Sequence, residues 1–411
     1  MEAGKAPLAR LWLCSNSQGF SRGQCSTSLN YNLGMKRHVI LWIVIVIASL
    51  ILGVITNASI NAVEHDVQLK ITTVETPKAH VSSGGERGAA IARLSNDQYL
   101  LGGGKEGFGL YLYDAKENSE RFLGLAANSN QRLDDSRFAI TDIGVLSQTE
   151  TTAGVVVSYP KYDRKRDCVS LVLGSYQIDL DKKVSVTPSG IWFTSKPCVP
   201  ISAVQHAAGR IEVIDKSTVY LTLGDLGFSR INNMKVRGDL GSVFKVSKSK
   251  VEKVSFGHRN QQGIALIGND LYASEHGPRG GDELNLISKG KDYGWPAVTY
   301  GEPYSAGDYV KPRVTGSHDG FIKPLKYWVP SVAPTELVVL PASKGWGKWS
   351  SQLVMGTLRE EALIFIELKD RRTVGQVLNI DVGERIRDLE ISSAGQIVAT
   401  TDSGKLLFIE N

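Results

Sequence analysis

Residues 216–225 read KSTVYLTLGD, a polar turn that runs into a short β-rich strand and stops at a glycine. The phrase recurs as NDQYLLGGG at 96–104, GNDLYASEHG at 268–277, SSQLVMGTL at 350–358 and AGQIVATTDSG at 394–404. A second apolar strand follows several of these, as in GLYLYD, ALIFIEL and KLLFIEN. Self-similar strand units recurring at about 40 to 50 residues are the signature of a β-propeller. Helical periodicity is absent after residue 60, and 42 glycines against 14 prolines suit many tight turns. The expected architecture is therefore all-β, a six-bladed propeller over residues 65–411. Its last strand, KLLFIEN, is expected to close the ring with the first, near VQLKITTVE (67–75).

Ahead of that domain, Val39–Ile55 read VILWIVIVIASLILGVI without a single charge, directly after Lys36 and Arg37. An apolar run of about 17 residues is the lower limit for crossing a bilayer, and the positive flank keeps its own side cytoplasmic. Residues 39–56 thus read as a transmembrane helix, either a retained signal anchor or a cleaved signal peptide. Residues 1–38 read as a disordered cytoplasmic leader. The propeller is then expected on the extracytoplasmic, periplasmic side. Most of the net charge of +5 sits in the leader, and the remainder is nearly neutral. No dense Lys/Arg stripe is present, which argues against nucleic acid as a partner. Cys168 and Cys198 are the two cysteines of the exported part. They form either a disulfide or two separate buried thiols.

Residues 257–296, GHRNQQGIALIGNDLYASEHGPRGGDELNLISKGKDYGWP, hold the densest mixture of charged side chains and turn formers. A domain does not need that mixture merely to fold, so the segment is the first candidate for a site. Together with HAAGRIEV (206–213), VYLTLGD (219–225) and GERIRDLEISSAGQIVATTDSGKLLFI (383–409), it resembles the soluble aldose sugar dehydrogenases. These are also called glucose/sorbosone dehydrogenases: six-bladed propellers that use pyrroloquinoline quinone (PQQ) with calcium. The resemblance covers roughly residues 200 to 411 and is weak before them.

The resemblance implies oxidation of an aldose's anomeric hydroxyl to a lactone, with hydride passing to PQQ and onward to an unidentified electron acceptor. Such a reaction needs a base, positive charge against the developing oxyanion, and a cation that polarises the cofactor. By the same resemblance His206 is the general base, Arg259 donates to the quinone oxygens beside Asn260, and Asp282 is the carboxylate that orients the base. Gly277 and Pro278 would offer backbone carbonyls to the cofactor's Ca2+, while Glu283 and Tyr293 match a further calcium site. Tyr304, Ser331, Arg359, Arg385 and Arg387 match positions that contact the cofactor, and Trp328 and Pro330 match the loop flanking it. The chain departs from the family pattern at Arg137, where a glutamine is usual, at Arg359, where a lysine is usual, and at Ala208, where a glycine is usual. Two other readings stand beside this one. The first is a propeller that binds a sugar, glycan or protein partner without turnover. The second is a calcium-dependent lactonase-like hydrolase, which needs an Asp/Asn/Glu metal cage in the central channel.

Overall fold

The computed structural model describes residues 67–411 apart from 96, 183–184, 201–205, 306–309 and 344. The expected leader and the apolar segment at 39–56 lie outside the described residues. Among the described residues no helix is long and apolar enough to cross a membrane, and α-helix is limited to the single turn Met234–Arg237.

Six antiparallel sheets account for most of the chain. The first blade opens with Ala90–Arg93, the second with Asp142–Gln148 and the third with Ala208–Asp215. The fourth opens with Gln261–Ile267, the fifth with Pro334–Val339 and the sixth with Ile386–Ile391. These six opening strands touch their neighbours in an unbroken ring, so they line the central channel and later strands step outward. Lys70–Glu75 forms the outer strand of the sixth blade. It pairs antiparallel with the last strand, from Lys70 opposite Glu410 to Glu75 opposite Lys405. The first ordered strand therefore clasps the last, as the sequence leads one to expect. Cys168 and Cys198 are bonded within the second blade. Their bridge ties the short strand Val199–Pro200 onto the strand Cys168–Asp179.

An inner strand has a free edge, because its own sheet occupies only one side. The N–H groups on that edge must find partners, since a buried orphan costs as much as a lost hydrogen bond. Here carboxylates supply them. Asp142 accepts from Ile143 at 2.7 Å and from Ile211 of the next blade at 2.6 Å. Glu336 accepts from Leu337 at 2.9 Å and from Ile264 of the preceding blade at 2.8 Å. Asp388 joins Leu389 to Ile91 of the first blade, both at 2.9 Å. Glu390 likewise joins Ile391 and Arg93, at 2.7 and 3.1 Å. Each acid staples one blade to another.

Arg210 reaches across the channel to these acids. Its Nη1 lies 2.8 Å from Asp388 and 3.2 Å from Glu336, and its Nη2 donates to the Arg387 carbonyl at 2.9 Å. One guanidinium thus braces the third blade against the fifth and sixth. Burial pushes Glu336 up to about 8, and burial with the neighbouring acids raises Asp142 well above its ordinary value. The cluster therefore need not carry three full negative charges around one positive charge. Below it the channel opens into a cavity of about 280 Å³ lined in part by Glu212 and Glu390.

Ala208, which replaces the family's glycine, adopts φ 53. A left-handed backbone costs a residue with a Cβ about 1–2 kcal/mol.

Two outcomes follow from these contacts. Arg210→Leu should lower stability by about 3–5 kcal/mol, because it leaves buried carboxylates without their cation. A urea unfolding midpoint equal to the parent's would contradict the bracing role. Ala208→Gly should raise that midpoint by the equivalent of roughly 1 kcal/mol, by relieving the left-handed strain.

Candidate functional site

Topology decides which residues can meet. The start of each inner strand and the end of the second strand lie at the same rim of the propeller, because the two strands run antiparallel. Arg137, His206, Arg259 with Asn260, Ser331 and Arg385 all precede or open inner strands. Asp225, the Gly277–Asp282 loop, Arg359 and Asp402 all follow second strands. The sequence-predicted residues and several others therefore share one mouth.

At its centre His206 is buried. Its Nδ1 lies 2.7 Å from Asp225 Oδ1, and its Nε2 lies 3.1 Å from Arg259 Nη2. Burial pushes the Asp225 carboxyl up, but His206, Arg259 and the Gly227 N–H together hold it below the usual range. An ionised Asp225 only accepts, so Nδ1 carries the proton and the Nε2 lone pair takes the Arg259 N–H. Burial, and after it Arg259, hold His206 below the ordinary histidine value against the pull of Asp225. The imidazole is thus a neutral base with a fixed tautomer. Trp295 donates from Nε1 to Asp225 Oδ2 at 2.8 Å and holds the carboxylate from the other side.

This corrects the expectation for Asp282. Both its oxygens are committed: it accepts from Gly277 N–H at 3.0 Å, from Ser331 Oγ at 2.6 Å, and from Val332 and Ala333 N–H at 2.8 Å each. Asp282 staples the 277–281 loop to the 331–333 loop, and Asp225 orients the base. The Ser331 hydroxyl is accordingly spent on Asp282. The loop itself is close-packed: a Cβ at Gly281, where φ is +68, would lie 2.1 Å from the Gly301 nitrogen.

Arg259 is fixed on several sides. Its Nη1 donates to the carbonyls of His276 at 3.2 Å and Gly277 at 2.5 Å, and its guanidinium lies over the Trp295 ring. Its backbone N–H donates to Glu275, whose other oxygen holds His258 Nδ1 at 2.8 Å. Its Nε is buried without a hydrogen-bond partner. Asn260 accepts from Ala208 N–H at 3.2 Å and from Gln262 at 2.9 Å, which seats the base-bearing loop.

Across the mouth, Asp402 gathers Arg387 Nε and Nη2, both at 2.9 Å, and Arg385 Nε at 3.2 Å. Burial acts to raise Asp402, but Arg387 foremost and then Arg385 pull it down to about 2. Arg359 is exposed at the same rim, and exposed Arg137 lies against Asp135 at 2.8 Å through its Nε.

For calcium beside the cofactor, the Pro278 carbonyl accepts from Tyr304 at 2.8 Å and the Gly277 carbonyl from Arg259. Each keeps a second lone pair, so these two neutral carbonyls are what this loop would offer a calcium ion. The further calcium position does not fit. His318 Nε2 stands 2.8 Å from Glu283 Oε1, and Asn285 donates to Oε2 at 3.0 Å. The Tyr293 hydroxyl donates to the Leu286 carbonyl and accepts from Ser288 N–H. Burial raises Glu283 while His318 acts against it, and contact with Glu283 holds His318 above its usual value despite burial. The His318 imidazole occupies the Glu283 oxygen that a cation would need. Nor is a lactonase-like metal cage open, since Arg210 fills the one three-carboxylate cluster found among the described residues, Asp142, Glu336 and Asp388.

Three acids that hold candidate site residues escaped the sequence reading: Asp225, Glu275 and Asp402. Each closes or follows a second strand in the recurring turn-and-strand phrase, and that shared place is the signal that could have found them.

Comparison with known proteins bears on the fold and the family. The aldose sugar dehydrogenase YliI of Escherichia coli strain K12 is 32% identical over 228 residues, covering 50% of this chain and 60% of that protein. The chain thus spans less than two thirds of that relative's length. The apo-form soluble aldose sugar dehydrogenase of Escherichia coli superposes with a TM-score of 0.68 at 22% identity, over 83% of this chain and 99% of that one. The PQQ-bound aldose sugar dehydrogenase of Streptomyces coelicolor gives 0.61 at 20% identity, over 84% and 99%. At such identities the superpositions speak for the fold. The family described as Glucose / Sorbosone dehydrogenase matches residues 135–408, more than half of the chain. The chain belongs to the glucose/sorbosone dehydrogenase family.

Proposed function

We propose that this protein is a quinone-dependent oxidoreductase that oxidises the anomeric hydroxyl of an aldose to the lactone. One observation carries the reading: a neutral buried His206, fixed by Asp225, lies 3.1 Å from Arg259 in the mouth that also holds Arg385 and Arg387. The residues suit PQQ, an anion with three carboxylates. Arg385 and Arg387 share a single acid, and the buried Arg259 Nε awaits an acceptor. Bound there, the quinone supplies the hydride acceptor.

The chain's own groups do the rest. His206 Nε2 takes the proton of the anomeric hydroxyl, and Asp225 steadies the imidazolium that results. Arg259 shares its Nη2 between the resting imidazole and the oxygen on which negative charge develops. The Gly277 and Pro278 carbonyls give calcium two neutral ligands, too few alone for an ion that takes 6–8 oxygens. Calcium should therefore be retained only together with the anionic quinone. The Cys168–Cys198 bridge and the uncharged residues 39–55 support a propeller on the periplasmic side, either tethered to the membrane or released from it.

The test is reconstitution of the full-length protein with PQQ and Ca2+, followed by dye reduction with a panel of aldoses. Turnover is expected with the parent, and His206→Ala should lower kcat by about 10²- to 10⁴-fold. Sugar binding without dye reduction would favour the non-catalytic propeller instead. NMR titration of the His206 ring checks the local chemistry. Its midpoint should lie below the ordinary histidine value, fall further in Asp225→Asn, and rise in Arg259→Leu. Because the neutral form is the base, turnover should persist through neutral pH and drop only as pH falls through that lowered midpoint.

A further inference from the structure

Arg87 stands at the same mouth, just before the inner strand of the first blade. Its neighbour Gly88 fixes the place: the Gly88 N–H donates to Asp402 Oδ1 at 3.0 Å, and a Cβ there would come within 2.7 Å of the Arg387 Cβ. The Arg87 backbone is bridged to Val81, with N–H···O at 3.1 Å in one direction and 3.0 Å in the other. The segment is therefore held against the Arg385–Arg387–Asp402 cluster by the Gly88–Asp402 hydrogen bond and the bridge to Val81.

Two guanidiniums, those of Arg387 and Arg385, already share the Asp402 carboxylate. Asp402 spends its oxygens on Arg387, Arg385 and Gly88, and the acids of the channel are taken up by Arg210 and the inner-strand N–H groups. No hydrogen bond or ion pair joins the Arg87 guanidinium to any described residue, and its Nε is sealed from solvent without a partner. Burial, with Arg387 and Arg210 as repelling neighbours, holds Arg87 down to about 9. Asp402 and Asp388 act against this without bonding the guanidinium, and an anionic ligand can supply the directly paired counter-charge that a half-buried cation needs.

We infer that Arg87 is a third anion-binding residue of the mouth, pairing with a carboxylate of the quinone beside Arg385 and Arg387. This rests on the function proposed above and extends it to a residue outside the motifs that carry the family resemblance. Bidentate geometry suits a guanidinium meeting a carboxylate.

Equilibrium titration of the full-length protein with PQQ in the presence of Ca2+, read by absorbance and without added sugar, tests it. Arg87→Leu should weaken binding about ten-fold or more, and Arg87→Lys should recover part of the loss. The apoprotein's Tm separates a ligand role from a structural one: Arg87→Leu should leave it unchanged or raise it, since no protein contact is lost. Parent-like affinity in Arg87→Leu would overturn the inference while leaving the proposed function intact. A lowered apoprotein Tm accompanied by parent-like affinity would mark Arg87 as structural and also overturn it. Failure of the parent to bind PQQ would overturn both.

Discussion

Closing six sheets into a ring creates a problem that the rest of this structure answers. Every inner strand turns an unpaired edge toward the channel, and hydrogen-bond donors on a buried edge cannot be left alone. Asp142, Glu336, Asp388 and Glu390 meet the need by accepting from two blades at once. Packing acids this closely is tolerable because Arg210 stands among them and because burial favours their neutral forms. The same contacts set the height and tilt of the inner strands, and so place the loops that begin them.

Charge is therefore layered along the axis. Arg385 and Arg387 gather on Asp402 at the mouth with Arg87 beside them, and the acids braced by Arg210 stand beneath. Arg210 links the layers, since its Nη2 donates to the carbonyl of Arg387 itself.

Much of the fold was legible because it rests on short-range signals. The turn-and-strand phrase marks second strands, and their spacing marks blades; even the clasp between residues near 70 and the C-terminus could be read from two strands left over at the ends. The base and the arginines were legible through their motifs. The partner of the base was not. Asp225 and Asp282 both lie in glycine-containing turns in strand-rich sequence, and only the register of the third blade's first hairpin, Ala208 opposite Leu223, puts the first beside His206. His318 was equally hidden: it reaches Glu283 from an insertion 35 residues downstream whose contacts have no periodic signature. Arg87 lies in a segment that resembles nothing familiar, and its meaning comes entirely from the cations around it.

The clasp carries a consequence for how the protein is made. Lys70–Glu75 is synthesised long before Lys405–Glu410, its one partner in the sheet among the described residues. Translation at about 5–20 residues per second keeps the early strand waiting for tens of seconds. Throughout that interval the nascent chain has an open ring and two unsatisfied sheet edges. Such long-range pairing is slow, and it exposes edges that other chains can join. Each strand of the clasp carries one Lys and one Glu, and Lys70 meets Glu410 at 2.7 Å once they pair. Charge on an edge strand disfavours pairing with other chains, so the residues that register the clasp also guard the edge while it waits.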